Sequence, residues 1–306
     1  LIDDMKRDGF SVSRATIYRT LTKLVDAGLL RRLEVGPRTF FEHDYGYPQH
    51  EHMYCEKCRK MIEVAKKSGK QLVIGFQYRF DGKTQLIRQQ VESGDLGRIL
   101  HVRCQALRRR GIPNWGVFGR KDLQGGGPMI DIGVHVLEMA HFAMGSPKPI
   151  SASGNAWTYL GNKPMEAQCA WPNWDHKTYT VEDLAVGLIR FDNGATLSIE
   201  ASFAAHIEKD VWNFTMMGEK GGANWDPVQI FRDQNGYMFN LTPSYVPGGD
   251  VFEKKMRHFV EVCRDGKPNL APGEAGLAVQ QMLDGVYTSA ESKREVRFDG
   301  GSAAKA

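Results

Sequence analysis

Leu184-Ala-Val-Gly-Leu-Ile-Arg-Phe191, Asp192-Asn-Gly194 and Ala195-Thr-Leu-Ser-Ile-Glu-Ala-Ser-Phe203 read as two strands joined at a tight turn. Apolar and polar residues alternate on both sides, and Asn-Gly supplies turn chemistry. On either side of this hairpin, 98–108, 211–217, 228–233 and 237–241 repeat the strand pattern, with another Asn-Gly at 235–236. Helical spacing places helices at about 82–93, 132–144, 250–265 and 274–292. The fold class is therefore α+β: a large, mostly antiparallel open sheet with helices on one side.

Upstream, Gln71-Leu-Val-Ile-Gly-Phe76 is a short apolar run suited to a buried parallel strand. Met61–Lys70 reads as a helix stopped by Gly69. Together they look like the last helix–strand unit of a doubly wound sheet. The sequence texture changes near residue 65, dividing the chain into 1–64 and 65–306. No Gly-x-Gly-x-x-Gly follows a strand anywhere in the 306 residues. Gly125-Gly-Gly127 has the wrong spacing for that phosphate-cradling loop.

Composition bounds the function classes. Hydrophobic content of 42% and charged content of 25% suit a globular protein. No apolar run reaches membrane-spanning length, and a net charge of +4 is too mild to argue for nucleic acid alone. The five cysteines, Cys55, Cys58, Cys104, Cys169 and Cys263, form no disulfide framework, which points to a reducing cytoplasm.

In the N-terminal piece, Ser13 suits an N-cap, Ile17, Leu21, Leu24 and Val25 make an apolar helix face, and Gly28 suits the helix end. Arg14, Tyr18, Arg19 and Lys23 take the opposite face. Alternating Leu29–Glu34 and Thr39–His43 around Gly36-Pro37 predict a hairpin, completing a winged-helix order. An exposed helix with a solvated basic face is the plainer alternative. Ser13-Arg-Ala-Thr-Ile-Tyr-Arg-Thr-Leu21, Phe41-Glu42 and His50-Glu-His-Met-Tyr-Cys-Glu-Lys-Cys58 together resemble the ferric uptake regulator family. That resemblance implies DNA contacts at Ser13, Arg14, Thr16, Tyr18 and Arg19. It also implies a zinc or iron site from Glu42, His50 and His52, with Cys55 and Cys58 as half of a structural zinc site.

The stretch with most chemical content is Gly125-Gly-Gly-Pro-Met-Ile-Asp-Ile-Gly-Val-His135. Asp131 and His135 sit one helical turn apart, a spacing that suits a general acid/base pair. It equally suits an N-cap aspartate and a packed core histidine. With Val73–Phe80 upstream and the Asn-Gly hairpin downstream, residues 64–298 resemble the Gfo/Idh/MocA oxidoreductases. The resemblance implies hydride transfer between NAD(P) and a sugar or polyol. Asp131 and His135 would be catalytic; Gln77, Tyr78, Arg79 and Trp115 would line the cofactor and substrate cleft. The sheet's other face would carry homo-oligomer contacts. The family's dinucleotide-binding loop and its Glu-Lys-Pro motif with the catalytic Lys do not occur in this sequence. Three functions are therefore weighed: an incomplete sugar oxidoreductase, a metal-responsive DNA-binding regulator with a sugar-binding-like domain, and a non-functional chimera.

Overall fold

The computed structural model describes residues 14–26, 30–35, 38–43 and 58–298. The chain divides into two units, Leu1–Tyr54 and Cys55–Ala306. In the first, helix α1 (Arg14–Asp26) precedes an antiparallel hairpin of β1 (Leu30–Val35) and β2 (Arg38–His43). Leu21, Leu24 and Val25 are half-buried while Arg19 and Lys23 are exposed, as the apolar spacing requires. Ser13, His50, His52 and Cys55 lie outside the described residues, as do the side chains of Arg14, Thr16, Tyr18, Glu42 and Cys58.

The second unit is built on a nine-stranded sheet. Its strands are β3 (Ile99–Leu107), β4 (Pro149–Trp157), β5 (Leu184–Phe191), β6 (Thr196–Ser202), β7 (Val211–Gly218), β8 (Gly221–Asn224), β9 (Gln229–Gln234), β10 (Tyr237–Leu241) and β11 (Val296–Arg297). The order is β10-β9-β8-β7-β3-β6-β5-β4-β11. Every pairing in it is antiparallel except β3 with β6. The two Asn-Gly turns differ. Asn235 and Gly236 both take positive φ, as a two-residue hairpin turn demands, whereas at 192–195 only Gly194 does. There Phe191 N–H bonds to Ala195 O and Gly194 N–H to Phe191 O, a turn widened by one residue.

One sheet face is dry. Val102, Cys104 and Ala106 of β3, Leu197, Ile199 and Ala201 of β6, and Phe214 and Met216 of β7 are buried. Helices α2 (Cys58–Ser68), α3 (Gly82–Glu92), α4 (Lys121–Gln124), α5 (Val134–Ala143), α6 (Val251–Asp265) and α7 (Gly273–Ser292) complete the unit. Of these, α7 packs on β4 and β5, and α5 on β3 and β7. The period-two alternation leaves the other face polar. There Arg103 pairs with Glu200 at 3.0 Å, and His101 Nδ1 lies 2.8 Å from Thr196 Oγ1.

Two expectations need correction. Gln71–Phe76 is not a strand: Val73 makes one antiparallel bridge with Pro272, and Ile74 N–H donates to Ala271 O. An apolar run becomes a strand only where a partner backbone offers a ladder, and among the described residues this one meets a single bridge. The helix expected over 132–144 begins as a π-helical turn, Met129–Gly133, and continues as α5. The helix stop expected at Gly69 is present: α2 ends at Ser68, and Gly69 has φ +66°. Among the described residues no helix is long and apolar enough to cross a membrane.

Candidate active site

The π-turn and α5 carry a row of titratable groups: Asp131, His135, Glu138 and His141. Its two ends have different surroundings. His135 is half-buried, with its ring 5.7 Å from that of Tyr78 and 6.3 Å from that of Trp212. Burial pushes its pKa down to about 4, so the imidazole is neutral at pH 7. Asp131 is not an N-cap: it lies inside the π-turn, which Pro128 precedes, and its own N–H donates to Gly127 O ahead of the turn.

Beside this pair lies a cavity of about 320 Å³ lined by Ala106, Arg108, Ile132, Asp210, Trp212 and Asp226. The cavity exists because β3 and β7 are neighbours: Ala106 faces Trp212 and Leu107 faces Val211 across the ladder. Burial pulls the Arg108 guanidinium below its ordinary pKa, and the charges of Asp131 and Asp210 pull it partly back. Asp210 Oδ1 also accepts from Arg109 N–H at 2.7 Å. An aromatic face, two carboxylates and a guanidinium around a pocket this size suit a small polyhydroxylated molecule.

The residues expected at the cofactor scatter. Tyr78 reaches the site through its contacts with His135 and Trp212. Trp115 packs on Phe118 and Trp171, and Arg108 lies over the Trp171 ring at 5.2 Å. Gln77 is half-buried in the short 3-10 turn Gln77–Phe80. Arg79 is 2% exposed and held inside by Glu138, 1% exposed, with N–O distances of 3.1 and 3.3 Å. Its Nη1 donates to Leu270 O at 2.6 Å, and its guanidinium lies between the Phe76 and Phe142 rings. These four side chains thus offer no cradle for a pyrophosphate, and the one cation among them is already neutralised. These four side chains do not together fit a dinucleotide. Nor do the described residues include a cluster of three or more His, Cys, Asp or Glu that could hold a metal.

Sequence reasoning missed Arg108, Asp210, Trp212 and Asp226. All but Trp212 stand at strand ends or in connections, and their convergence depends on the β3–β7 register, which no local pattern encodes.

Comparison with known proteins agrees with this architecture. Residues 84–224 match the model of the GFO/IDH/MocA C-terminal domain, and residues 1–75 match that of the ferric uptake regulator family. The chain is 38% identical over 257 residues to D-glucoside 3-dehydrogenase of Escherichia coli (strain K12), covering 81% of this chain and 72% of that protein. An oxidoreductase domain protein from Kribbella flavida superposes with a TM-score of 0.67 at 23% identity, over 79% of this chain and 70% of its own. A levoglucosan dehydrogenase in complex with NADH and levoglucosan gives a TM-score of 0.65 at 22% identity, over 80% and 70%. Through its second unit, the chain belongs to the Gfo/Idh/MocA oxidoreductase family.

Proposed function

We propose that residues 58–298 form the sugar-handling part of an NAD(P)-linked oxidoreductase acting on a pyranose of the glucoside type. The observation that carries this reading is the placement of Asp131 and His135 on one turn beside the cavity of Arg108, Asp210 and Trp212. Trp212 offers an apolar face to the ring's C–H groups, and the carboxylates accept from vicinal hydroxyls. Neutral His135 accepts the proton of the hydroxyl being oxidised, and Asp131 stabilises the imidazolium that forms. The pyranose class comes from the relatives, whose names specify a D-glucoside and levoglucosan. In those relatives the dinucleotide supplies hydride chemistry; here the described residues supply substrate binding and proton transfer only.

The test is tryptophan fluorescence of the full chain titrated with methyl β-D-glucopyranoside and with myo-inositol. Saturable quenching by the glucoside, weakened at least tenfold in Trp212→Leu, supports the reading. No saturable response to either removes it. NADH is expected to give no saturable binding, and micromolar binding would overturn that expectation.

A second reading belongs to the N-terminal stretch of the chain. Helix α1 exposes Arg19 and Lys23 ahead of a hairpin, and residues 1–75 match a family of regulators. We propose weak DNA association through residues 1–44, with zinc or iron at the His/Cys cluster of residues 50–58. A gel-shift series in rising salt tests it, since phosphate contacts must weaken with salt. The open polar sheet face is proposed as a contact between copies, tested by sedimentation.

A further inference from the structure

Glu182 precedes β5 and lies far in sequence from the Asp131/His135 turn, yet its carboxylate is bound to the start of that turn. It is 8% exposed. Its Oε2 accepts Gly127 N–H at 2.9 Å, and its Oε1 accepts Met129 N–H at 3.3 Å. Tyr287 of α7 donates its hydroxyl to the same Oε1 at 2.7 Å. Pro128, between the two bonded residues, has no N–H to offer, so the carboxylate takes both N–H groups available around it. Burying a carboxylate demands such full satisfaction, and the helix N-terminus adds favourable partial charge.

The glycines make the fit close. A Cβ on Gly127 would run into the Glu182 backbone oxygen, and one on Gly126 into the Tyr287 hydroxyl. Tyr287 is itself fixed, because its neighbour Val286 is fully buried against Gly154 and Gly187 of the sheet. The next residue, Asp183, does the same service for another loop: its Oδ2 accepts the N–H groups of Tyr159, Leu160 and Gly161.

We infer that Glu182 and Tyr287 are positioning residues that clamp Gly126-Gly-Pro128 to the sheet and thereby set where Asp131 and His135 stand against the cavity. This rests on the reading of that pair as the proton-transfer site. Neither clamp residue touches the cavity, so each acts through the turn. The clamp explains the Gly-Gly-Pro spacing as a requirement of close approach between three segments: the turn, the strand entry at Glu182 and α7.

The experiment is NMR titration of His135 in the full chain, for wild type, Glu182→Gln and Tyr287→Phe, beside thermal melts of each. Glu182→Gln places an amide donor against two N–H donors. The turn should loosen and rehydrate His135, raising its proton affinity about tenfold or more toward the ordinary imidazole value. Tyr287→Phe keeps both backbone bonds and should give a smaller rise in the same direction, so a Glu182→Gln chain that fails to fold still leaves a test. A fall in melting temperature with His135 titrating as in wild type in Tyr287→Phe means a merely structural cap and overturns the inference. The glucoside titration is read separately: loss of sugar binding in wild type removes the function, while the His135 readout alone decides the clamp.

Discussion

The two ends of the Met129–Ala143 segment are made of the same residue types and do opposite things. Asp131 and His135 lie next to Ile132 and Trp212 of the first cavity's wall, while Glu138 and His141 are buried, His141 against a second cavity that Arg79 and Phe142 also line. Glu138 holds Arg79, and its pKa is pushed up to about 7 by burial, with Arg79 opposing. His141 stacks on Phe191 at 5.6 Å, and its Nε2 lies 2.8 Å from Pro147 O. A carboxylate and an imidazole at helical spacing are therefore not in themselves a site. The difference is set by what the next layer places opposite: Trp212 and Arg108 wall a cavity, whereas Arg79 arrives beside Glu138 against the Phe76 and Phe142 rings and takes up its carboxylate.

That contrast breaks most visibly at Arg79. Arg79→Leu leaves Glu138 buried without its partner and should cost roughly 3–5 kcal/mol in urea unfolding. Adding Glu138→Leu should recover much of it; a single-variant loss under about 1 kcal/mol would mean the pair is hydrated.

Next comes pH. The His135 and His141 pKa values are both lowered to about 4 by burial, so their contribution is complete above the unfolded value of 6.5 and is lost as pH falls toward 4. For His141 the loss is roughly 3 kcal/mol, at about 1.4 kcal/mol per tenfold change in proton affinity. Glu138 runs the other way, its contribution fading as pH rises toward 7. Chemical denaturation between pH 7 and 4 should show a shallower acid decline in His141→Phe than in wild type; identical slopes would contradict the burial argument.

At the cavity end, Asp131→Asn and His135→Asn at pH 7 should each cost less stability than Arg79→Leu, because both are half-buried and neither leaves a buried charge unpaired. The same substitutions should abolish any proton-coupled chemistry on the sugar, measured as loss of any NAD(P)-dependent glucoside turnover by the full chain. The smallest effect belongs to the open sheet face. Arg103→Ala should alter unfolding by at most about 0.5–1 kcal/mol, since its pair with Glu200 is solvent-exposed. A larger loss there would show that the face is covered in solution.

Much of this architecture is visible in local pattern. The strands at 98–108, 184–191, 195–203, 211–217, 228–233 and 237–241 and the helices near 82–93, 250–265 and 274–292 announce themselves by period and turn chemistry, and the structure has them; β8 (Gly221–Asn224) does not announce itself. β4 carries no such signal, because Pro149-Ile-Ser-Ala-Ser-Gly-Asn-Ala-Trp157 is rich in small polar residues. It is a strand because Gly154 and Ala152 admit α7 closely, a packing reason rather than a propensity. Gln71–Phe76 shows the converse, with strand propensity but only one bridge.

The candidate site divides along the same line. Local spacing and backbone freedom are enough to put Asp131 and His135 on one turn, to set Gly125–Gly127 ahead of them, and to fold Leu184–Phe203 into a hairpin. Nothing local seals Arg79 with Glu138, walls a cavity with Arg108 and Trp212, or makes Glu182 and Tyr287 grip the turn. Those partners lie tens to hundreds of residues apart in the chain. Sheet order and helix packing bring them together, and the free energy of a buried charge depends on which groups arrive beside it.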